Sequence, residues 1–255
     1  MPSNKWTREE LIIAFNLYCK ISFGTIHIRN PKIITLAKTL GRTPSAVSWK
    51  LANFARLDPS LQNRNIAGAS HGSKLDIEIW EEFNNDWEKL GFESEKLLAA
   101  KTGKQIEEVT DIETIDLPKS GKEREAIVKV RVNQNFFRKA VLAAYDFKCC
   151  ITGLGITELL NASHIVPWSK DEINRVNPRN GLCLNVIHDR AFDRGLLTIT
   201  PEFKVKISKL INNNSPDQAV QDFLLRYDGS EIRLPTKFLP DINFLKYHNK
   251  SIFAR

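Results

Sequence analysis

The stretch SHIVPWSKDEINRVNPRNGLCLNVIHDRAFDRG, from Ser163 to Gly195, is the most informative part of this chain. Asn180 comes sixteen residues after His164, and His188 follows eight residues later with an aspartate on its C-terminal side. An imidazole titrates near neutral pH and can accept a proton, and carboxylates bind hard cations. The spacing therefore predicts one compact site that combines a proton acceptor, an orienting amide and a cation-binding group.

The composition fits a soluble globular protein. With 255 residues the chain can bury a sizeable core, and it exceeds the usual size of one domain, so two domains are expected. No apolar run approaches the roughly twenty residues needed to cross a bilayer. The start MPSNKWTREE lacks the apolar core of a signal peptide. We expect no membrane partner and a cytoplasmic location.

The four cysteines are Cys19, Cys149, Cys150 and Cys183, and they form no C-x-x-C pair. In a cytosolic chain of this size, reduced thiols are the expected state. A structural zinc ion held by Cys149 or Cys150 together with Cys183 is an alternative, but no complete set of four ligands is visible. The sequence therefore does not favour structural zinc.

Charge is unevenly distributed along the chain. Residues 1–64 carry ten Lys/Arg against three Asp/Glu, giving +7; residues 65–117 carry five against thirteen, giving −8; residues 118–255 carry twenty-two against fourteen, giving +8. Two basic segments separated by an acidic one suggest two surfaces that each meet a polyanion. Ordinary solvated charge is the alternative interpretation.

Several spaced motifs in the second half resemble bacterial HNH endonucleases of the ββα-metal type. The motifs are FFRKAVLAAY, CCITG, ASHIVPW and NGLCLNVIHDRAFDRGLLTI, and the resemblance is strong over residues 124–200. It implies an α+β fold, hydrolysis of phosphodiester bonds in duplex DNA and a strand that ends near His164, the general base. Asn180 matches the residue whose amide fixes a loop and orients that histidine through a hydrogen bond. His188 matches the last member of the catalytic set.

The cation ligands are where the sequence departs from the commonest family pattern. Many members place Asp or His directly before the base, whereas this chain has Ser163, a poor cation ligand. The other usual ligand positions fall on Asp189 and Asp193, one helical turn apart, with His188 one position earlier. We carry all three as metal candidates and favour His188 and Asp193, since Asp189 could instead interact with the helix dipole.

An oxygen-rich ligand set favours one Mg²⁺ or Mn²⁺ ion. Arg190 and Arg194 flank the candidate ligands and could hold DNA phosphates, although solvent exposure explains them equally well. Farther on, LLTIT and FKVKIS alternate apolar and polar residues and predict a hairpin, and residues 244–253 predict a closing helix with His248 in a structural role.

The first 60 residues predict three helices. Thr7 and Glu10 make a capping box for the first; the second spans residues 32–40 and ends at Gly41; the third runs from about Pro44 to Phe54. The offsets between Ala37, Gly41 and Val47 are those of a helix-turn-helix. In that frame the outward residues of the third helix, which could contact DNA, are Arg42, Ser45, Ser48, Lys50 and Asn53. Two helices joined by a glycine turn also pack in many proteins that never touch DNA.

The opening WTREE, with LGRTPSAVSWKL, resembles Myb/SANT-like helix-turn-helix modules, and KLANFARLDP resembles recognition domains fused to bacterial HNH nucleases. This resemblance implies a DNA-binding lobe. Two further helices are expected over residues 75–90 and 93–101, with Trp80 and Trp87 in the core, and residues 102–125 are predicted to form a linker. The expected domains are therefore 1–117 for recognition and 118–255 for cleavage. The recognition domain would contain a basic segment over residues 1–64 and an acidic segment over residues 65–117.

The sequence favours a metal-dependent endonuclease that acts on double-stranded DNA. The architecture resembles bacterial restriction enzymes, some of which require methylated or otherwise modified DNA, and double-strand cutting by one site per chain favours a homodimer. Ser163 motivates a rival from another class, a DNA-binding regulator with a catalytically inactive HNH fold. An RNA nuclease is a third alternative.

Overall fold

The computed structural model describes residues 5–62, 72–211 and 217–254. The chain divides into two compact units, Met1–Ala140 and Val141–Arg255. The functional division expected at residues 117 and 118 stays a prediction. The portion of the turn-rich stretch between residues 63 and 71 lies outside the described residues.

Unit 1 is helical. Its helices are α1 (Arg8–Lys20), α2 (Pro31–Leu40), α3 (Pro44–Leu57), α4 (Pro59–Gln62), α5 (Lys74–Phe83), α6 (Trp87–Thr102), α7 (Ile106–Thr110) and α8 (Lys122–Ala144), whose last four residues belong to unit 2. The capping box of α1 is confirmed, since Thr7 accepts from the backbone of Glu10 and Glu10 accepts from the backbone of Thr7. The turn between α2 and α3 is also confirmed: Gly41 takes a left-handed conformation, with φ of 64°, that glycine adopts without strain.

The core of unit 1 is aromatic. The Phe15 ring on α1 lies 4.8 Å from Phe54 on α3, 5.1 Å from Trp80 on α5 and 6.0 Å from Trp87 on α6, measured between centroids. The prediction that the two tryptophans belong to the core is confirmed, since Trp80 and Trp87 are 6% and 3% exposed. Aromatic burial on this scale supplies much of the stability of a small helical unit.

Two expected boundaries in unit 1 were wrong. Helices expected at 75–90 and 93–101 instead break at residues 84–86, because the Asp86 side chain caps α6 by accepting from the backbone N–H of Lys89. The expected linker also contains α7, and Leu117 packs with Val128 and Val132 in a small buried cluster. Much of that segment therefore belongs to unit 1.

Unit 2 contains a ββα arrangement followed by a hairpin and a closing helix. Its elements are β1 (Leu160–His164), β2 (Gly181–Asn185), α9 (Val186–Asp193), β3 (Leu197–Ile199), β4 (Val205–Ile207), α10 (Gln218–Phe223) and α11 (Ile242–Ser251). β1 and β2 pair antiparallel, with His164 opposite Gly181. β3 and β4 form the expected hairpin. The predicted α+β class is confirmed.

The closing helix α11 seals one end of α9. The His248 ring stacks on Phe192 with 3.7 Å between centroids, and its Nδ1 lies 2.8 Å from the hydroxyl oxygen of Thr198. Gly195 has a φ of 68°, and a side chain there would collide with the backbone of Ile252. These buried contacts agree with the structural role expected for His248. Among the described residues, no helix is both long and apolar enough to cross a bilayer.

Candidate active site

The site is built on β1, β2 and α9. His164 is the last residue of β1, and β2 is followed directly by α9. Asn185 fixes where α9 begins, because its side chain accepts hydrogen bonds from the backbone N–H groups of Ile187 and His188 at 3.0 and 2.9 Å. This cap sets which residues of α9 face β1.

His164 is held in one orientation by the loop that follows it. Its Nε2 lies 2.8 Å from the carbonyl oxygen of Arg175, and its ring packs edge-on against Trp168 at 5.6 Å. When Nε2 donates its proton to that carbonyl, the tautomer places the ring lone pair on Nδ1. Burial lowers the pKa of His164 below its ordinary value, while the Arg175 carbonyl and the Asp189 charge oppose this change. A neutral imidazole with a fixed tautomer suits a general base.

Asn180 is fully buried and fastens the loop between β1 and β2. Its Oδ1 accepts from the backbone N–H of Val166 at 2.8 Å, and its Nδ2 donates to the carbonyls of Val166 at 3.0 Å and Asn174 at 3.3 Å. Its own carbonyl accepts from the N–H of Ile165 at 2.9 Å. The amide of Asn180 binds backbone groups of this loop, and Asn180 thereby fixes Ile165 and Val166, the two residues that follow His164. A direct hydrogen bond from Asn180 to His164 stays a prediction.

Asp189 faces β1. Its carboxylate accepts from Asn161 Nδ2 at 2.6 Å and from the hydroxyl of Ser163. Asn161 and Ser163 are two residues apart on a strand, so they point to the same face. The helix-dipole interpretation of Asp189 is therefore incomplete, since two side chains of β1 hold this carboxylate.

Asp193 lies one turn after Asp189 on α9 and is exposed. Although the residue as a whole is exposed, partial desolvation of its carboxyl group raises the pKa of Asp193, and so does the neighbouring charge of Asp189. Arg190 and Arg194 partly offset this. Two carboxylates that repel each other in this way are relieved by a cation between them. Arg190 and Arg194 are exposed. Their exposure agrees both with contact to DNA phosphates and with ordinary solvation.

The preference for His188 as a metal ligand does not agree with the structure. Because α9 begins at Val186, the His188 ring turns into the interior and is 1% exposed. Its Nε2 lies 2.7 Å from the carbonyl oxygen of Phe223, and its Nδ1 lies 3.3 Å from Asn185 Nδ2. Both ring nitrogens therefore have protein partners.

Cys149 completes the surroundings of His188. Burial alone would raise the pKa of the Cys149 thiol, but hydrogen bonds with His188, Thr152 and nearby backbone outweigh burial and bring the pKa to about 7. Cys149 itself is fully buried. The pair is an interior hydrogen-bonded contact beneath α9.

No three His, Cys, Asp or Glu side chains within residues 5–62, 72–211 and 217–254 are grouped so that they could hold a metal ion. A metal site with three or more ligands from these four side-chain types is therefore absent from these ranges. Mg²⁺ does not need one, since it commonly binds through one or two carboxylates, several waters and substrate phosphates. The Asp189 and Asp193 pair fits that mode.

Three of the DNA-contacting residues expected on α3 and its turn do not face outward. Lys50 and Asn53 are 8% and 7% exposed, and both bind the carboxylate of Asp76 on α5, with Lys50 Nζ at 2.9 Å. Arg42 makes a two-pronged contact with Glu10 at 3.0 and 2.7 Å. Their outward placement was wrong, because each finds a carboxylate on a neighbouring helix. Ser45 is exposed, and Ser48 is half-buried.

The basic segment over residues 1–64 does not form a surface separate from the acidic segment over residues 65–117. Cations from residues 1–64 pair with carboxylates from residues 65–117: Arg8 with Glu82, Lys20 with Glu95 and Lys50 with Asp76. The acidic segment therefore neutralises some of the basic one inside a single unit. Sequence reasoning could not show this, because charge counts carry no information about pairing.

Two residues were missed by the sequence analysis. Asn161 escaped attention because asparagine in a strand carries no strong signal, although its two-residue offset from Ser163 places both on one face. Trp49 was overlooked within the third helix. It is 63% exposed, and its spacing from the buried Val47 and Leu51 could have predicted an outward position.

Comparison with protein families gives a match within unit 2. Residues 149–200 match the model of a family described as HNH endonuclease, and this range contains β1, β2, α9 and β3. The comparison supports an HNH nuclease domain in this region of the chain. No curated protein matches the chain.

Proposed function

We propose that this protein is a metal-dependent endonuclease that hydrolyses phosphodiester bonds in duplex DNA, with His164 as the general base. The observation that carries the proposal is the placement of His164 and Asp189. The Arg175 carbonyl holds His164 Nε2 at 2.8 Å, and Ser163, the residue before His164 on β1, donates to the carboxylate of Asp189 on α9. The family match over residues 149–200 supports the same activity.

In the proposed reaction, His164 Nδ1 removes a proton from a water molecule. The water oxygen then forms a bond to phosphorus as the bond from phosphorus to the 3′ oxygen breaks, and the leaving oxygen takes up a proton. The hydrogen bond to the Arg175 carbonyl stabilises the imidazolium that forms on His164. Asn180 keeps the ring in place by fixing the backbone of Ile165 and Val166.

We assign the cation to Asp189 and Asp193, with Mg²⁺ or Mn²⁺ as the ion. A bound divalent cation would supply charge stabilisation for the phosphate and the leaving oxygen. Asn161 and Ser163 would orient the Asp189 carboxylate for it. Arg190 and Arg194, exposed beside the carboxylates, would contact phosphates of the bound strand.

We propose that α2 and α3 of unit 1 act as a helix-turn-helix that recognises DNA, and that the protein is a restriction-type enzyme. The net charge of +7 over residues 1–64 supports this role, although some of that charge is paired within the unit. Methylated or otherwise modified DNA is included as a candidate substrate, and a homodimer as the cutting species.

Incubation of the purified protein with supercoiled plasmids, prepared with and without base modification, in Mg²⁺ or Mn²⁺ tests the proposal. The expected result is a nicked or linear product that requires the cation. His164→Ala should reduce the rate by about 10²-fold or more while duplex binding persists. His27→Ala, which changes an exposed histidine of unit 1, should cut normally. Absence of cleavage of every plasmid in every metal would refute the nuclease.

A DNA-binding regulator with an inactive nuclease unit is the second candidate. The specific observation in its favour is Ser163, which occupies the usual first ligand position and donates to Asp189. Binding without cleavage in the same experiment would establish it. Cleavage of structured RNA with DNA left intact would instead identify an RNA nuclease.

A further inference from the structure

Unit 1 contains a cavity of about 360 Å³ between helices α1, α2, α6, α7 and α8. Every residue that lines it belongs to unit 1, and the lining residues are distinct from those assigned above to DNA contact and to cleavage. The exposed residues Lys32 and Thr35 form part of the lining, so the cavity opens to solvent. Its volume is that of a site for a small molecule.

Apolar side chains from four helices line much of the cavity. Ile13 and Leu17 lie on α1, Leu36 on α2, Leu98 on α6 and Val109 on α7. Such a wall favours a ligand with a hydrocarbon body, because contact between the two removes apolar surface from water.

The cavity wall includes Asn16, which is 4% exposed and has one unpaired polar atom. Asn16 Nδ2 donates to Glu95 Oε1 at 2.7 Å. This bond fixes the orientation of the amide, since the reverse orientation would set its oxygen against the carboxylate. Asn16 Oδ1 then has no hydrogen-bond partner within residues 5–62, 72–211 and 217–254. A buried oxygen without a partner is costly, so it favours a ligand that carries an N–H or O–H donor.

The charged groups around Lys139 leave one positive charge in excess. Lys139 Nζ on α8 lies 3.8 Å from a carboxylate oxygen of Asp111, and Glu95 is paired with Lys20. Burial lowers the pKa of Lys139, and so do the charges of Lys20 and Lys32, whereas Asp111 and Glu95 oppose this change. Three lysines against two carboxylates give this group a net charge of +1. Both carboxylates come from the acidic segment, so the excess remains after pairing within unit 1 has been counted.

A small organic acid matches these three features together. A phosphate of the DNA backbone would satisfy the charge, but it has no donor for Asn16 Oδ1 and no hydrocarbon body for the apolar wall. Inorganic phosphate also lacks the hydrocarbon body. A carboxylate joined to a branched hydrocarbon and an N–H group supplies one negative charge, a donor and apolar surface.

We propose that this cavity is a binding site for a small organic carboxylate that has a hydrocarbon body and a hydrogen-bond donor. The carboxylate pairs with Lys139 and Lys32, and the donor binds Asn16 Oδ1. The hydrocarbon body contacts Leu36 and Leu98. The site goes beyond the proposed function, because it requires neither DNA binding nor cleavage.

Three compounds that share an isobutyl group test these features separately. N-acetylleucine carries the carboxylate and the amide N–H, N-acetylleucinamide lacks the negative charge, and isocaproate lacks the N–H. Their dissociation constants are measured by ligand-observed NMR with the full chain at fixed ionic strength. We expect a value of about 1 mM for N-acetylleucine, which is ordinary for a ligand of this size. Each of the other two should bind about tenfold more weakly.

Lys139→Gln should weaken the binding of N-acetylleucine by about tenfold and should leave the binding of N-acetylleucinamide unchanged. Unchanged binding of the neutral compound shows that the variant is folded and that its cavity is intact, so the loss reports the charge of Lys139. Lys122→Gln is the matched control, since it changes an exposed lysine at the start of the same helix. It should bind all three compounds as the unchanged protein does.

Several outcomes would overturn the inference. Absence of binding by all three compounds would show that the cavity holds only solvent, and equal binding of N-acetylleucine and N-acetylleucinamide would show that its charge plays no part. Equal losses of both compounds in Lys139→Gln would make that lysine a structural residue. Displacement of N-acetylleucine by equimolar inorganic phosphate would indicate a general anion site, and displacement by a short DNA duplex would assign these lysines to DNA contact. Plasmid cleavage is a separate measurement, so none of these results refutes the nuclease.

Discussion

The hydroxyl of Ser163 donates a hydrogen bond to the carboxylate of Asp189. Ser163 directly precedes His164 on β1, and Asp189 lies on α9, so this contact joins the strand that carries the imidazole to the helix that carries the carboxylates. The Ser163 hydroxyl orients a carboxylate by donating a hydrogen bond to it. An aspartate in the same position could instead bind the cation directly. We therefore treat Ser163 as a positioning residue.

Ser163→Ala should raise the cation concentration needed for half-maximal cleavage by about 10- to 100-fold, which is the usual effect of losing a group that orients a metal ligand. The maximal rate at saturating cation should change less, because His164 is untouched. A titration of plasmid cleavage against Mg²⁺ measures both quantities. Ser169→Ala, an exposed serine in the following loop, serves as the control. An identical titration for Ser163→Ala and Ser169→Ala would contradict the positioning role.

His188 and Asp193 should differ in what their substitution changes. His188→Gln disturbs an interior hydrogen bond to the Phe223 carbonyl, so it should lower the free energy of unfolding by about 1 to 3 kcal/mol. It should leave the cation requirement of the folded protein unchanged. Asp193→Asn changes an exposed residue, so it should leave the free energy of unfolding nearly unchanged and should raise the cation concentration needed for cleavage. Urea denaturation and cation titration of the two variants decide between these assignments, and a shifted cation requirement in His188→Gln would restore that histidine as a ligand.

Asn180→Ala should lower both stability and activity. It removes the partners of three backbone groups, the Val166 N–H and the carbonyls of Val166 and Asn174. Each buried backbone group left without a partner costs about 1 to 3 kcal/mol. The loop that holds His164 should therefore open, which hydrogen exchange at the Val166 amide would reveal. Normal protection of that amide in an inactive variant would mean that Asn180 acts directly in the reaction.

His248 should make unit 2 sensitive to acid. Burial lowers the pKa of His248 to about 4, and the hydrogen bond to the Phe192 carbonyl opposes this only in part. Above pH about 6.5, the ordinary histidine value, the ring is neutral in both the folded and unfolded chains. As the pH falls from there toward 4, the unfolded chain binds the proton first, so the free energy of unfolding decreases.

Urea midpoints at pH 7.5, 6 and 5 measure this loss. His248→Gln removes the titrating group, so its midpoint should fall less across the range than that of the unchanged protein, although it starts lower. Parallel curves for the two proteins would show that other groups cause the acid sensitivity.

Lys50→Met should destabilise unit 1 without altering its affinity for DNA. The side chains of Lys50 and Asp76 are 10% and 0% exposed, and breaking such a buried pair costs about 3 to 5 kcal/mol. The combination of Lys50→Met with Asp76→Asn removes the unpaired charge and should recover some of the loss. Thermal unfolding and anisotropy measured below the transition test the two effects separately. A drop in affinity in the folded variant would return Lys50 to the DNA-contacting set.

The features that could be predicted from the sequence are those with local signals. The α2 and α3 bounds follow from Gly41, Thr43 and Pro44, which act within a few residues of where they stand. The burial of Lys50 could not be predicted, because its partner Asp76 is twenty-six residues away and helical periodicity does not identify it. Because lysine side chains are usually exposed to solvent, the sequence favoured an outward position for Lys50.

The candidate site divides in the same way. His164 was identifiable from its motif, whereas the choice between His188 and Asp189 depended on the first residue of α9. A shift of one residue rotates a helix by about 100°, so spacing could not separate two adjacent candidates. The cap at Asn185 determines the register, and its signal, an asparagine before an apolar pair, was present but unused.

The segment that closes the end of α9 is synthesised well after α9 itself. His248 stacks on Phe192, and the Ala254 N–H donates to the Gly195 carbonyl at 2.9 Å. On the ribosome, the helix with both carboxylates therefore emerges before its packing partner exists. The order of translation delays completion of the nuclease unit, and a chain stalled before residue 242 would carry the motif residues without the contacts that fix them.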